Sequence, residues 1–105
     1  MFHNLTDIPE REIVPGYFAK FVHSQTMTFA YWRVEAGAQL PQHTHPHEQI
    51  STVIDGQFEL TIDGQTQIVT AGDVATIPGN MPHSGRALTP CYLIDIFQPV
   101  REEYR

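Results

Sequence analysis

Gln49-Ile50-Ser51-Thr52-Val53-Ile54-Asp55-Gly56-Gln57-Phe58-Glu59-Leu60-Thr61-Ile62-Asp63-Gly64-Gln65-Thr66-Gln67-Ile68-Val69-Thr70 is the stretch that decides the fold class. Three short runs, Gln49–Ile54, Gln57–Ile62 and Gln65–Thr70, are separated by Asp55-Gly56 and Asp63-Gly64. Their β-branched and aromatic side chains suit a pleated surface. Asp-Gly between two such runs favours a two-residue type I′ turn, in which both central residues need positive φ. The spacing predicts a β-meander with both Asp-Gly pairs at hairpin tips.

The pattern continues on both sides. From Lys20 onward the chain reads as β. Thr26–Glu35 is rich in aromatic and β-branched residues, with Met27, Phe29 and Tyr31 on one parity and Ala30, Trp32 and Val34 on the other. Gly72-Asp73 and Pro78-Gly79-Asn80 read as further turns, and Tyr92–Phe97 as a last strong strand. No segment sustains a 3.6-residue apolar period, so no long helix is expected. Asp7–Glu12, with Pro9 near its start, is expected as a short helical turn. Many short strands with turn signals between them predict an all-β sandwich or barrel.

The chain has 105 residues, enough for one domain over 1–105, with the barrel expected over about 26–98. A domain this small exposes much of its surface, and pairing into a homodimer would cover some of it. The single Cys91 has no intrachain partner, so no oxidising compartment is indicated. Met1 to Asp7 lacks a basic stretch followed by an apolar one, and no apolar run approaches membrane-spanning length. A cytoplasmic protein without a membrane partner is expected. The formal charge is −6, from 12 acidic and 6 basic residues, with no basic stripe. Such a surface repels phosphate backbones and argues against nucleic acid. An anionic small molecule still fits if its pocket is locally positive.

The six histidines are unevenly spread, three of them within Gln42-His43-Thr44-His45-Pro46-His47-Glu48-Gln49. In a strand, residues two apart project from one face, about 6.5 to 7 Å apart. His43 and His45 can converge on one ion in this way, and Gln49 has the same parity. Glu48 should face away. His83 follows Asn80-Met81-Pro82, and the return of a meander would bring it beside the pair. One divalent metal on His43, His45, Gln49 and His83 is expected, with His3, His23 and His47 outside the site. Ni, Zn, Co, Fe and Mn all suit such a donor set.

Gly37-x5-His43-x-His45-x3-Gln49-x6-Gly56 resembles the first motif of the cupins, and Gly72-x5-Pro78-x-Asn80-x2-His83 their second. The resemblance implies a double-stranded β-helix, or jelly-roll barrel. The chain departs from the motifs at Gln49, where an acidic ligand is usual, and at Ala87, where Asn is frequent. Three imidazoles and an amide leave the full +2 charge of an ion uncompensated. At 4 Å each unit of charge attracts an anion by about 4 kcal/mol at an effective dielectric near 20. Gln in place of Glu therefore favours carboxylate binding and enolate stabilisation, which is Lewis-acid chemistry rather than oxygen activation.

Ile94 and Ile96 flank Asp95 on the opposite parity, so Asp95 should point into the barrel. An inward carboxylate is costly unless it is paired or functional. The outward isoleucines should then meet another sheet or a dimer partner. His43-Thr44-His45-Pro46-His47-Glu48-Gln49 together with Asp95-Ile96-Phe97-Gln98-Pro99-Val100-Arg101-Glu102 resembles the pectin-degradation subgroup of small cupins. Members of that subgroup linearise unsaturated monouronates and use Gln as the third ligand. By position the resemblance implies metal ligands His43, His45, Gln49 and His83. It also implies catalytic roles for Asp95 and Arg101, and substrate contacts from Phe97 and Arg101. Asp95 would then be the general acid/base and Arg101 the two-pronged clamp on the uronate carboxylate. A purely structural alternative is an Asp95–Arg101 salt bridge closing the barrel end, with Phe97 in the core. Two further functions stay open: a metal-dependent dioxygenase and a non-catalytic metabolite-binding cupin.

Overall fold

The structure, a computed structural model, describes residues 1–105. Ten strands follow one another: β1 (Arg11–Val14), β2 (Tyr17–His23), β3 (Thr28–Val34), β4 (Gln39–His43), β5 (Glu48–Asp55), β6 (Phe58–Ile62), β7 (Gln65–Val69), β8 (Val74–Ile77), β9 (His83–Ala87) and β10 (Cys91–Gln98). They form a six-stranded sheet in the order β1-β2-β3-β10-β5-β8 and a four-stranded sheet in the order β4-β9-β6-β7. Every pairing is antiparallel. Two such sheets face to face make the expected all-β jelly-roll barrel.

The period of two decides which face each strand buries. On β3, Ala30, Trp32 and Val34 are buried while Phe29 and Tyr31 lie half-buried on the outside. Register places Trp32 opposite Ala19 on β2 and Leu93 on β10. Its ring meets those of Tyr17 and Phe21 edge-on, at 6.1 and 5.9 Å. From the other sheet, Phe58, Leu60 and Val69 close the core. Each large apolar side chain buried there contributes about 1.5–3 kcal/mol relative to exposure.

Three details differ from expectation. Asp63-Gly64 does turn a hairpin, joining β6 to β7 with φ values of 49° and 77°. Asp55-Gly56 does not, because β5 and β6 belong to different sheets. It is a corner where the chain crosses the core, and a Cβ on Gly56 would lie 2.3 Å from the Pro90 carbonyl oxygen. The meander is therefore one hairpin. Nor is Asp7–Glu12 helical: a 3₁₀ turn at Leu5–Asp7, capped by Asn4, precedes strand β1. β1 and β2 join the six-stranded sheet ahead of residue 26, where the barrel was expected to start. Register explains why: β2 pairs residue for residue with β3 along its whole length.

Candidate metal centre

His43 ends β4 and His83 begins β9, and the two stand directly opposite in the antiparallel pair. His45 sits beyond the end of β4, in the loop to β5, so strand parity does not apply to it. Gln49, on β5, approaches from the other sheet. The ring centroids lie 5.7 Å apart for His43 and His45, 4.2 Å for His43 and His83, and 4.9 Å for His45 and His83. One nitrogen of each of the three falls within 4.8 Å of the others. His43, His45 and His83 thus form a cluster able to hold a metal ion. His3, His23 and His47 do not join it.

The loop that carries His45 is tied to the loop before β9. The Asn80 amide donates to the His45 carbonyl at 2.7 Å. Beside it Gly79 lies so close to Pro46 that a Cβ would stand 2.4 Å from the Pro46 carbonyl oxygen.

Backbone carbonyls set the state of each imidazole. Nδ1 of His43 faces the Pro41 carbonyl at 2.9 Å, that of His45 the His47 carbonyl at 3.0 Å, and that of His83 the Met81 carbonyl at 2.8 Å. A carbonyl only accepts, so each Nδ1 carries the proton and each Nε2 presents a lone pair. The His83 Nε2 is buried with no partner. The His45 Nε2 lies 3.0 Å from the Gln49 Oε1, because the amide nitrogen of Gln49 is turned away to donate to the Ser51 hydroxyl at 2.9 Å. Two acceptors therefore face each other with no proton between them. Burial, aided by the charges of Arg101 and His83, lowers the His45 pKa to about 4, so protonation near neutrality does not relieve the clash. Burial likewise lowers that of His83. A divalent cation fits this convergence of lone pairs.

A cavity of about 150 Å³ lies against the cluster, with apolar walls that include Val53, Phe58, Leu60 and Leu93. Asp95, Phe97 and Arg101 also line it. Asp95 points inward as parity required. The residue is half-buried overall, but its carboxylate is enclosed. Burial raises its pKa to about 6, opposed by the hydrogen bond from Ser51 and the charge of Arg101. The Ser51 hydroxyl donates to its Oδ1 at 2.6 Å.

Arg101 forms no salt bridge with Asp95; its Nε pairs with Glu103 instead. The reason is the 3₁₀ turn at Glu102–Tyr104, which brings Glu103 back over Arg101. The guanidinium lies 4.7 Å from the Phe97 ring centroid and 4.6 Å from that of Tyr104. Its two terminal nitrogens make no hydrogen bond within the chain, and the side chain is only 12% exposed. Phe97 is 2% exposed, so it serves the core and the cavity wall at once. Ser51, Tyr104 and Glu103 were not anticipated at this site. Ser51 alone carried a readable signal, since it shares the parity of Gln49 two residues away.

The cupin domain family matches residues 30–97. The chain is a cupin. Its fold is shared with an RmlC-like cupin from Shewanella frigidimarina NCIMB 400, at TM-score 0.94 and 28% identity over 99% of this chain and 95% of that one. KdgF from a Halomonas species is as similar, at TM-score 0.94 and 27% identity over 100% and 98% of the two chains. The quercetin 2,3-dioxygenase of Bacillus subtilis (strain 168) is 46% identical over 52 residues, which are 48% of this cupin but only 15% of that enzyme. No helix of the chain is long and apolar enough to cross a membrane.

Proposed function

We propose that this cupin acts on an unsaturated monouronate or a related sugar acid, catalysing ring opening and enol-to-keto tautomerisation. The observation that carries this reading is one cavity shared by three groups: an uncharged ligand set, an enclosed carboxylate and a guanidinium with free terminal nitrogens. A divalent ion on His43, His45, Gln49 and His83 would supply a Lewis acid for an oxygen that gains negative charge. Ring opening removes a proton from the hemiacetal hydroxyl as the ring C–O bond breaks. Ketonisation removes the enol proton and returns one to carbon. Neither changes the redox state, and Asp95 is the group placed to accept and return the proton. The terminal nitrogens of Arg101 hold the substrate carboxylate as a fork, while Phe97 offers an apolar face and orders the guanidinium. Apolar walls exclude water and strengthen both interactions.

Likeness to KdgF over the whole chain supports the pectin-degradation subgroup that the motifs resemble. The local identity to quercetin 2,3-dioxygenase favours a second reading, oxygen-dependent chemistry on the same centre. Metal analysis of the purified protein and an assay on unsaturated galacturonate decide between them. Turnover without oxygen consumption supports linearisation, whereas oxygen uptake with a gain in product mass supports the dioxygenase. Binding without turnover would leave a metabolite-binding cupin. At saturating metal, Asp95→Asn should lower uronate turnover by about 10²-fold, the usual scale of general acid–base catalysis. A stable, metal-loaded variant with near-normal turnover would remove Asp95 from the mechanism.

The outer face of the six-stranded sheet supports a homodimer. In register, Ile96 lies between Phe29 and Ile50, and Ile94 between Tyr31 and Thr52. Ile50, Ile54 and Val74 on that face are 38%, 48% and 63% exposed in the single chain.

A further inference from the structure

We infer that Ser51 is a positioning residue for the metal centre, selecting which end of the Gln49 amide faces the three histidines. The inference rests on the metal-centre reading above. An amide side chain has two ends of nearly equal size, one an acceptor and the other a donor. Only the acceptor end can ligate a cation. The wrong end has a ready partner here: the His45 Nε2 lone pair lies 3.0 Å from the terminal atom of Gln49. Turned over, the amide would donate to that nitrogen, satisfy the metal-free site and compete with the ion. Something must hold it the other way.

The restraint is a one-way chain of hydrogen bonds. The Asp95 carboxylate only accepts, and the single Ser51 proton is committed to it at 2.6 Å. The Ser51 oxygen can then only accept from Gln49, and the amide nitrogen supplies that proton at 2.9 Å. Oε1 is left aimed at His45 and at the cluster. Donating to a carboxylate strengthens a hydroxyl as an acceptor for its next neighbour, so the polarity of the chain is self-reinforcing. Strand geometry supplies the alignment: Ser51 lies directly opposite Asp95 in the β5–β10 ladder, and Gln49 two residues along projects from the same face. Ser51 lines the cavity wall, but its hydrogen bonds go to Gln49 and Asp95 and none goes to a histidine. Its effect passes through Gln49.

The test is calorimetric titration of Ni²⁺, and separately Zn²⁺, into metal-free protein whose folding is checked by circular dichroism. Ser51→Ala should weaken metal binding by about 10–100-fold, the scale on which partners of metal ligands act. Ser51→Thr, which keeps the hydroxyl, should bind within a few-fold of the native chain. The decisive arm is the Gln49→Glu background. A carboxylate has no wrong end, so Ser51→Ala made there should change metal affinity less than about threefold. A generic packing role would weaken binding equally in both backgrounds, and that result overturns the inference. So does a Ser51→Ala protein that binds as tightly as the native chain. If the native chain itself takes up neither ion, the metal-centre reading fails and the positioning role falls with it.

Discussion

Gly79→Ala tests whether the loop tie holds His45 in place. A Cβ at residue 79 would lie 2.4 Å from the Pro46 carbonyl oxygen, where ordinary contact begins at 3.4 Å, so the loops must part by about 1 Å. Neither flank yields easily: the obstacle is backbone, and the next residue, Asn80, is bonded to the His45 carbonyl at 2.7 Å. Metal sites tolerate ligand displacements of only about 0.2 Å, so a shift of this size exceeds the allowance several-fold. Metal affinity should fall by at least about tenfold, as when a ligand's supporting partner is lost. Overpacking costs about 1–3 kcal/mol and a lost hydrogen bond about 1 kcal/mol. At about 4–8 °C per kcal/mol for a domain of this size, the metal-free protein should melt roughly 10 °C or more below the native chain. Calorimetric titration and melting curves on the same samples measure both effects. A variant with native metal affinity and native melting would refute the reasoning, because the loops would then be parting freely without moving His45.

Further outcomes follow from the same geometry. Replacing His43 and His45 together with Ala should abolish stoichiometric metal, read by elemental analysis; full occupancy would remove both from the ligand set. Gln49→Glu should retain metal but bind a carboxylate ligand at least about tenfold more weakly, since it cancels one of two positive charges at close range. Tighter carboxylate binding would contradict that electrostatic account. Arg101→Lys should leave metal affinity unchanged and raise KM for the uronate about tenfold or more, because an ammonium reproduces neither the planar fork nor the stacking on Phe97 and Tyr104. An unaltered KM would place the substrate carboxylate elsewhere. Ile50→Lys sets a charge in the outer apolar face and should yield a monomer in sedimentation velocity, against a dimer for the native chain. A native chain that sediments as a monomer would count against pairing through that face.

What the sequence revealed follows from the range of the signals it carries. Alternation is local, so the division of β3 into two faces and the inward turn of Asp95 are readable directly, while which face of β3 is buried comes only from the structure. Sheet membership is not local. Asp55-Gly56 and Asp63-Gly64 are the same dipeptide, yet one crosses between sheets and the other turns a hairpin, because tertiary contact with Pro90 and Cys91 decides at Gly56. Spacing marks the three histidines, but strand parity does not account for His45, which lies beyond the end of β4. It reaches the cluster from a loop held by Asn80, a contact 35 residues away in sequence. Glu103 escaped notice because its role depends on a 3₁₀ turn too short to show periodicity.

The cluster draws on both sheets: His43 and His83 stand on the four-stranded one, and Gln49 on the six-stranded one. With a single cysteine, the chain has no disulfide to join those layers. A bound ion would therefore be a clasp at one end of the sandwich, and its release would be the same event as the opening of that end. At an ion concentration a hundred times Kd, such opening becomes about 2.7 kcal/mol harder, or about a hundredfold rarer. Amides of β4 and β9 would exchange with solvent more slowly by that factor, while those around the Gly56 corner keep their pace. Breathing at the mouth would then be governed by the surrounding metal supply rather than by the core.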